Sequence, residues 1–573
     1  MKQIEKIFAS RYWWLLLLIF LFVVNYLASA IHTRFDLTKE KRYTLSKATK
    51  NLLRKLDDDI QVDVFLKGEF PAGFKKLAIG VDEFLQECKE YSRGKMKIKF
   101  IDPLKNLDDT TAAYVIDSLG YFYDIPAYTI QAPGKAGDEM KQKLVMPGAV
   151  IHYKDTTIGV NLLKGMKTYG TEAEEMAKLY NDVEGTLEYK FASAIEKITS
   201  TRKPLIGYAL GHGEGWGYNV DDAVKTLIRE YRFDTINIKT DLYIPSDFDA
   251  LVILKPTTPF TDADKLKIDQ YVMRGGKIFW MIDNMYAEFD SLYKSGGFTA
   301  YDRGLNLEDI LFRYGARVNQ NLLQDIQSDK LPQLSGTQGN GQQQRLVDWP
   351  FFPVLNGTDH PISKNLDGVR AIFPNTLDTI QVEGIKKTFL LRSSANARVL
   401  PSPAIVDFEF LQIAPDIKQF RIHDTAVAVL LEGRFTSLFK NRIPKNQLDS
   451  LNAMGVPFKS QADEKTKMIV VADGDIATNQ VSQMNGPLPM GMNLYTKYTF
   501  ANKEFYTNSL EYLVNPSGIL ETRAKSFTLR LLDRVKVDKQ KTTWQFINIA
   551  VPVIFILLFA LIYQQIRKRK YAS

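Results

Sequence analysis

The chain has 573 residues, 45% hydrophobic and 24% charged, with a formal net charge of +8 and a single cysteine, Cys88. This is ordinary globular composition at a length that suits roughly two to four domains, and one cysteine excludes an internal disulfide or a cysteine-rich metal site. The cationic residues are spread along the chain and densest in the C-terminal tail, which argues against nucleic acid as a partner and for a topology signal beside anionic lipid headgroups.

The first predicted element is an apolar run, residues 13–31 (WWLLLLIFLFVVNYLASAI), and the last is another, residues 546–563 (FINIAVPVIFILLFALIY). Each is close to the roughly 20 residues that cross a bilayer core. Lys2, Lys6 and Arg11 lie in the tail 1–12, and Arg567, Lys568, Arg569 and Lys570 lie in the tail 564–573. Positive charge holds short tails in the cytoplasm, so two spans are expected, with both termini inside and the main domains extracytoplasmic. Arg34, Lys39, Lys41 and Arg42, with Arg534, Lys536, Lys539 and Lys541, nearly balance a raw count. Long domains translocate largely regardless of charge, so the tails decide. Ala28-Ser29-Ala30 has the spacing of a signal-peptide cleavage site, which leaves a cleaved leader as the alternative. The run exceeds the roughly 7 to 15 residues of a signal core, and Trp13 and Trp14 suit a membrane interface, so an uncleaved anchor is the preferred reading.

Residues 43–165 read as a compact α/β domain of thioredoxin-like order. Ser46 is the expected N-cap of a helix carrying Thr49, Leu52, Leu53 and Leu56. A strand at 60–66, a helix at 74–93 with Phe74, Leu77, Val81, Phe84, Leu85 and Cys88 on one face, and a strand at 95–101 make a βαβ unit. A helix at 104–119, a strand near 127–131 and a hairpin of 144–153 with 156–162 complete it. The Cys-x-x-Cys redox motif is absent, so this shape carries no thiol chemistry.

A charged helix over 171–200 leads to a second α/β domain, 203–515. The strand Pro204–Leu210 runs into Gly211-His212-Gly213-Glu214-Gly215; a helix at 220–230, strands at 234–238 and 250–254, a helix at 262–274 and a strand at 277–282 follow. This alternation implies a largely parallel sheet. Asp283 lies just past the last of these strands, so it and the Gly211 loop are expected at the carboxyl edge where such sheets bind ligands. Residues 323–433 read as a β-rich insertion, with a Gly/Gln-rich stretch at 335–345 and breaks at Pro350, Pro353 and Pro361. The α/β pattern resumes at the strand 467–472 and the helix 503–514; a membrane-proximal helical segment, 517–543, leads to the second span.

Three glycines in the 211–215 loop let the backbone turn tightly towards an anion, and His212 and Glu214 have the chemistry of a base, a metal ligand or a hydrogen-bond pair. The plainer reading is a strand-to-helix turn holding a satisfied histidine. Asp473 and Asp475, with Asn479, suit either a cation or an Asp-Gly turn; Trp216 and Tyr218 suit stacking or ordinary packing. His32, His152, His212, His360 and His423 show no zinc spacing. The sequence has neither G-x-x-x-x-G-K-[ST] nor G-x-S-x-G, so P-loop ATP hydrolysis and the usual serine-hydrolase elbow are excluded.

Five segments together resemble the auxiliary, substrate-binding-like proteins of gliding-motility ABC transporters, the GldG family: Tyr43-Thr44-Leu45-Ser46, Phe100-Ile101-Asp102-Pro103, Gly207–Glu214, Arg274-Gly275-Gly276-Lys277 before Asp283, and Asn356–Asn365. The resemblance implies a bacterial inner-membrane protein working with a separate permease and a separate ATPase, and it implies no established catalytic residues or ligand; no metal or cofactor is expected. It also implies a central domain similar in order to class I glutamine amidotransferases. Those enzymes need a cysteine nucleophile at a strand-to-helix turn; Cys88 lies in the other domain, so that chemistry does not carry over. The candidate ligand-binding residues are Gly211, His212, Gly213, Glu214 and Asp283. The expected function is thus non-catalytic, with an extracytoplasmic cell-envelope hydrolase centred on His212, Glu214 and Asp283, or a structural envelope anchor, as alternatives.

Overall fold

The computed structural model describes residues 18–25, 44–68, 70, 72–133, 140–164, 173–338, 341–411, 413, 415–453, 455–524 and 534–571. It divides into two compact units, Met1–Ser526 and Phe527–Ser573. The first is mixed α/β.

Helix α1 (Lys47–Arg54) starts at Ser46, whose Oγ accepts from the Thr49 N–H at 3.1 Å. The Ser46 N–H and the Thr49 hydroxyl both donate to Glu188 Oε1, at 2.6 and 2.7 Å. The capping residues thereby tie this helix to a distant one. Strand β1 (Ile60–Val64), helix α2 (Ala72–Tyr91), β2 (Met96–Phe100), α3 (Asp109–Tyr123), β3 (Tyr128–Pro133), β4 (Met140–Val145), β5 (Gly148–Tyr153) and β6 (Thr156–Asn161) follow. The first sheet has the order β2-β1-β5-β6, with β1 and β2 parallel and the other two pairings antiparallel. Leu144 belongs to the separate β3–β4 hairpin rather than to the strand that follows it, because Pro147 supplies no N–H to continue a ladder. Val62, Leu77, Leu85 and Ile151 fill the core of this domain, and Cys88 is buried among them.

Helix α4 (Ala173–Thr199) serves two cores. Val183, Leu187 and Phe191 are buried in the first, while the Tyr189 hydroxyl donates to Glu511 at 2.8 Å and Lys197 pairs with Glu230 at 3.0 Å in the second.

The second core is built on β7 (Leu205–Leu210), α5 (Asp221–Glu230), β8 (Arg232–Asn237), β9 (Ala250–Leu254), α6 (Asp262–Met273) and β10 (Ile278–Met281). Strands β9 and β10 are buried along their whole length, which is why they read as continuous apolar runs rather than alternating ones. A capping box of Thr261 and Asp264 starts α6. Next come β11 (Met285–Tyr286), β12 (Gly297–Asp302), α7 (Glu308–Tyr314), β13 (Ala316–Val318), β14 (Asn321–Asp325), β15 (Ser328–Gln338), β16 (Gly341–Gly357), β17 (Val369–Arg370) and β18 (Leu377–Thr379). They are followed by β19 (Ile385–Arg392), β20 (Ala397–Pro401), β21 (Ala404–Asp407), β22 (Ala426–Gly433), β23 (Thr466–Val471) and α8 (Asn502–Val514).

The main sheet runs β15-β16-β19-β22-β23-β10-β9-β7-β8, with β17 paired to β16. Its parallel part, β8-β7-β9-β10-β23, is continued by antiparallel β22, β19, β16 and β15. The β-rich stretch 323–433 is therefore partly an extension of the parallel sheet. Its Gly/Gln-rich part lies in the β15–β16 hairpin. Backbone ladders need no apolar side chains, and Pro350 and Pro353 sit within β16 near a register shift, where proline is tolerated. A satellite core of Trp349, Phe351, Phe352, Phe373 and Val406 covers this region.

The described residues of the second unit form one helix, α9 (Arg534–Tyr571), which continues through Pro552. Its stretch Gln540–Arg569 is long and apolar enough to cross a membrane and is unburied. Of the first apolar run, residues 18–25 are helical and Leu18–Val24 are exposed; the rest of that run lies outside the described residues. Of the expected segment 517–543, a 3-10 turn occupies Ile519–Ala524 and the part from Arg534 is continuous with the apolar helix.

Candidate functional site

The strand order of the parallel sheet reverses between β7 and β9, so the loops after those strands flank the crevice where open α/β sheets usually bind ligands. The loop after β7 is Gly211–Gly215. Gly211 and Gly213 have φ of +112° and +77°, and a Cβ on Gly213 would lie 1.9 Å from Thr257 Oγ1. The Thr257 and Thr258 N–H groups donate to the His212 carbonyl at 2.7 and 2.9 Å. The two loops are packed directly on each other.

His212 is fully buried. Its ring stacks on Phe260 with centroids 3.7 Å apart. Nε2 lies 3.2 Å from Asp264 Oδ2, and the backbone N–H donates to Glu214 Oε2 at 2.6 Å. His212 Nδ1 and Glu214 Oε1 face each other at 3.8 Å, and neither has a hydrogen-bond partner among the described residues. Burial holds the imidazole below its ordinary pKa, although Asp264 opposes it, and burial pushes the Glu214 carboxyl up. The chemistry available is that of a neutral histidine clamped between two acidic side chains, shut away from solvent.

Asp283, at the end of β10, shares no hydrogen bond or ion pair with that loop. Its Oδ1 accepts from the Gly474 N–H at 2.5 Å, and its Oδ2 lies 3.3 Å from Lys255 Nζ. Asp473 and Asp475 follow β23, and one oxygen of each of these three carboxylates lies within 4.8 Å of the others. By distance these are the residues placed to hold a metal. Lys255, directly after β9, already supplies positive charge there: Nζ is 2.6 Å from Asp475 and 3.0 Å from Glu288, which also accepts from Arg303 at 2.5 Å. Asp473 accepts from the N–H groups of Ile372 and Asp475, at 2.8 and 2.7 Å.

Burial works against the Lys255 ammonium, but Asp475, Asp283 and Glu288 outweigh it and hold its pKa well above the usual value. A lysine so held is a fixed counter-ion rather than a nucleophile. Burial, with Asp283 and Asp475 beside it, pushes Asp473 up; burial also pushes Asp475 up, to about 6, against the pull of Lys255.

The structure thus brings His212 and Glu214 together and gives Asp283 to a different cluster. Asp473 and Asp475 were visible in sequence as acids closing an apolar strand, the same signal as Asp283. Lys255 closes a strand in the same way, whereas Glu288 and Arg303 carried no local signal. Asn479 is a structural tie: it donates to the Tyr218 carbonyl at 2.7 Å and accepts from the Asp222 N–H at 3.2 Å. Trp216 packs near Phe233 and, like Tyr218, is exposed.

Residues 203–509, which hold the parallel sheet and both clusters, match the family described as an ABC-type uncharacterized transport system. The chain belongs to this family of transport-system auxiliary proteins. Residues 39–152 match a domain of unknown function. An uncharacterized protein of Borreliella burgdorferi is 22% identical over 427 residues, covering 72% of this chain and 75% of that one. Among solved structures, the mmIFT52 N-terminal domain aligns at 13% identity and a TM-score of 0.30, over 54% of this chain and 97% of that domain. As a family member the chain is an auxiliary component of a transport system, which suggests partnership with other transporter components.

Proposed function

We propose that the chain is a non-catalytic auxiliary component of an ABC transporter, anchored in a bacterial inner membrane with its α/β domains outside and both termini in the cytoplasm. The observation that carries this reading is the family match over 203–509. The apolar, unburied Gln540–Arg569 supports the membrane anchor. The sequence has no P-loop, so in this reading a separate ATPase supplies the energy and a separate permease the pathway. The link to gliding motility rests on the sequence resemblance alone. We read the first domain as thioredoxin-like from its β2-β1-β5-β6 order, and the second as amidotransferase-like from its parallel order β8-β7-β9-β10-β23.

The absence of catalysis is likewise a proposal. It is supported by a His212 and a Glu214 whose side chains are wholly buried and by a Cys88 that is buried with its pKa raised by burial. The test is purification of the full chain in mild detergent from its native host. A permease and an ATPase should travel with it, and their absence at stoichiometric level would remove the basis of the reading. Cysteines placed at Asp241 and Ser573 in a Cys88→Ser background test the topology: only the first should react with a membrane-impermeant thiol reagent in intact spheroplasts.

A further inference from the structure

Beyond the carboxyl end of β10 lies a cleft of about 580 Å³, lined by α7, β13, β14 and β20. Its size is in the range that holds a small ligand. Leu311, Phe312 and Val399 are among its apolar lining.

Two charged groups line it, Glu308 at the start of α7 and Arg317 in β13. Both are exposed, and among the described residues neither side chain makes a hydrogen bond or ion pair, with the other or with any third group.

Asn319 and Gln320, also in the lining, have their amide NH2 groups committed. Asn319 Nδ2 donates to Asp378 at 2.9 Å and Gln320 Nε2 to Asp302 at 2.8 Å. A carboxylate only accepts, so these bonds fix which end of each amide is nitrogen. The two amide oxygens have no donor among the described residues.

We infer that this cleft binds a short peptide with free termini: Arg317 takes its carboxylate, Glu308 its ammonium, the two amide oxygens its backbone N–H groups, and the apolar lining its side chains. A guanidinium matches a carboxylate in a planar, bidentate pair. The inference does not depend on the transport reading, because binding is measured on this chain alone and partnership by co-purification.

The experiment is calorimetric titration of the full-length protein in detergent with Ala-Leu-Ala, its C-terminal amide and its N-acetyl form. Ala-Leu-Ala should bind, and each capped form should bind roughly tenfold or more weakly, as expected for loss of a charge-assisted hydrogen bond. Arg317→Gln should abolish the preference over the amide while keeping the preference over the N-acetyl form, and Glu308→Gln should do the reverse. Both side chains are exposed and unpaired, so both variants should fold, with circular dichroism as the check. No binding of Ala-Leu-Ala to the wild type, equal binding of all three peptides, or preferences unchanged in both variants would overturn the proposal.

Discussion

Replacing Lys255 with methionine tests the electrostatics of the cluster at the carboxyl end of the sheet. The substitution keeps most of the apolar stem and removes an ammonium that sits 2.6 Å from Asp475, 3.0 Å from Glu288 and 3.3 Å from Asp283. Glu288 keeps Arg303, and Asp283 keeps the Gly474 N–H. Asp475 loses its cation and keeps the Thr478 hydroxyl at 3.1 Å. Breaking a buried pair by removing one partner costs about 3 to 5 kcal/mol. With two of the three acids retaining a partner, the low end applies, about 3 kcal/mol, which is on the order of 10²-fold in an opening equilibrium.

The assay is hydrogen exchange read by mass spectrometry on peptides covering β9, β10 and β23, corrected for intrinsic rates at each pH. Those amides should exchange on the order of 10²-fold faster in the variant at pH 8. Asp475 stands raised, to about 6, even with Lys255 present, and removing the lysine raises it further. Between the unfolded carboxyl value and that folded value the folded variant binds more protons than the unfolded chain, so its stability falls as pH rises. The deficit should therefore be largest at pH 8 and shrink towards pH 5. An exchange rate within about twofold of wild type at pH 8, or a deficit that grows on acidification, would refute the reasoning.

Three further outcomes follow from the same geometry. Gly213→Ala places a Cβ 1.9 Å from Thr257 Oγ1 at a φ of +77°, so it should destabilise the β7–β9 loops by about 2 kcal/mol or more; adding Thr257→Ala should recover only part, because the backbone strain remains. His212→Gln should cost less at pH 5 than at pH 7.5 in hydrogen exchange of residues 205–215. The buried imidazole is held below its unfolded pKa, so its contribution is complete above that value and is lost as pH falls through it. Cys88 is buried with its thiol pKa raised by burial, so iodoacetamide at pH 8 should label it only after urea is added; rapid labelling of the native protein would contradict the packing of α2.

Much of the fold was legible because the signals are local. Ala250–Leu254 reads as a strand and has those bounds in the structure, where it is covered on both faces, which is why it is apolar throughout. Ser46 reads as a cap because its side chain bonds to an N–H three residues on. The β15–β16 hairpin was not legible: its Gly/Gln-rich stretch is held by backbone pairing, which leaves no hydrophobic period to detect. At the candidate site, strand ends in sequence located Gly211–Gly215, Asp283 and Asp473 at the right edge of the sheet. They did not say which of these residues meet.

By itself the sequence determined the alternation of strands and helices, the apolar segments at 13–31 and 546–563, and the absence of a P-loop and of a cysteine pair. Each is a property of neighbours along the chain. Only the tertiary structure decided that Thr257 and Phe260 close over His212, that Lys255 claims Asp283 for another cluster, and that Glu308 and Arg317, unpaired among the described residues, share one cleft. Those outcomes depend on side chains from different strands and helices meeting through space, where burial and charge compensation choose the partners and sequence spacing carries no information.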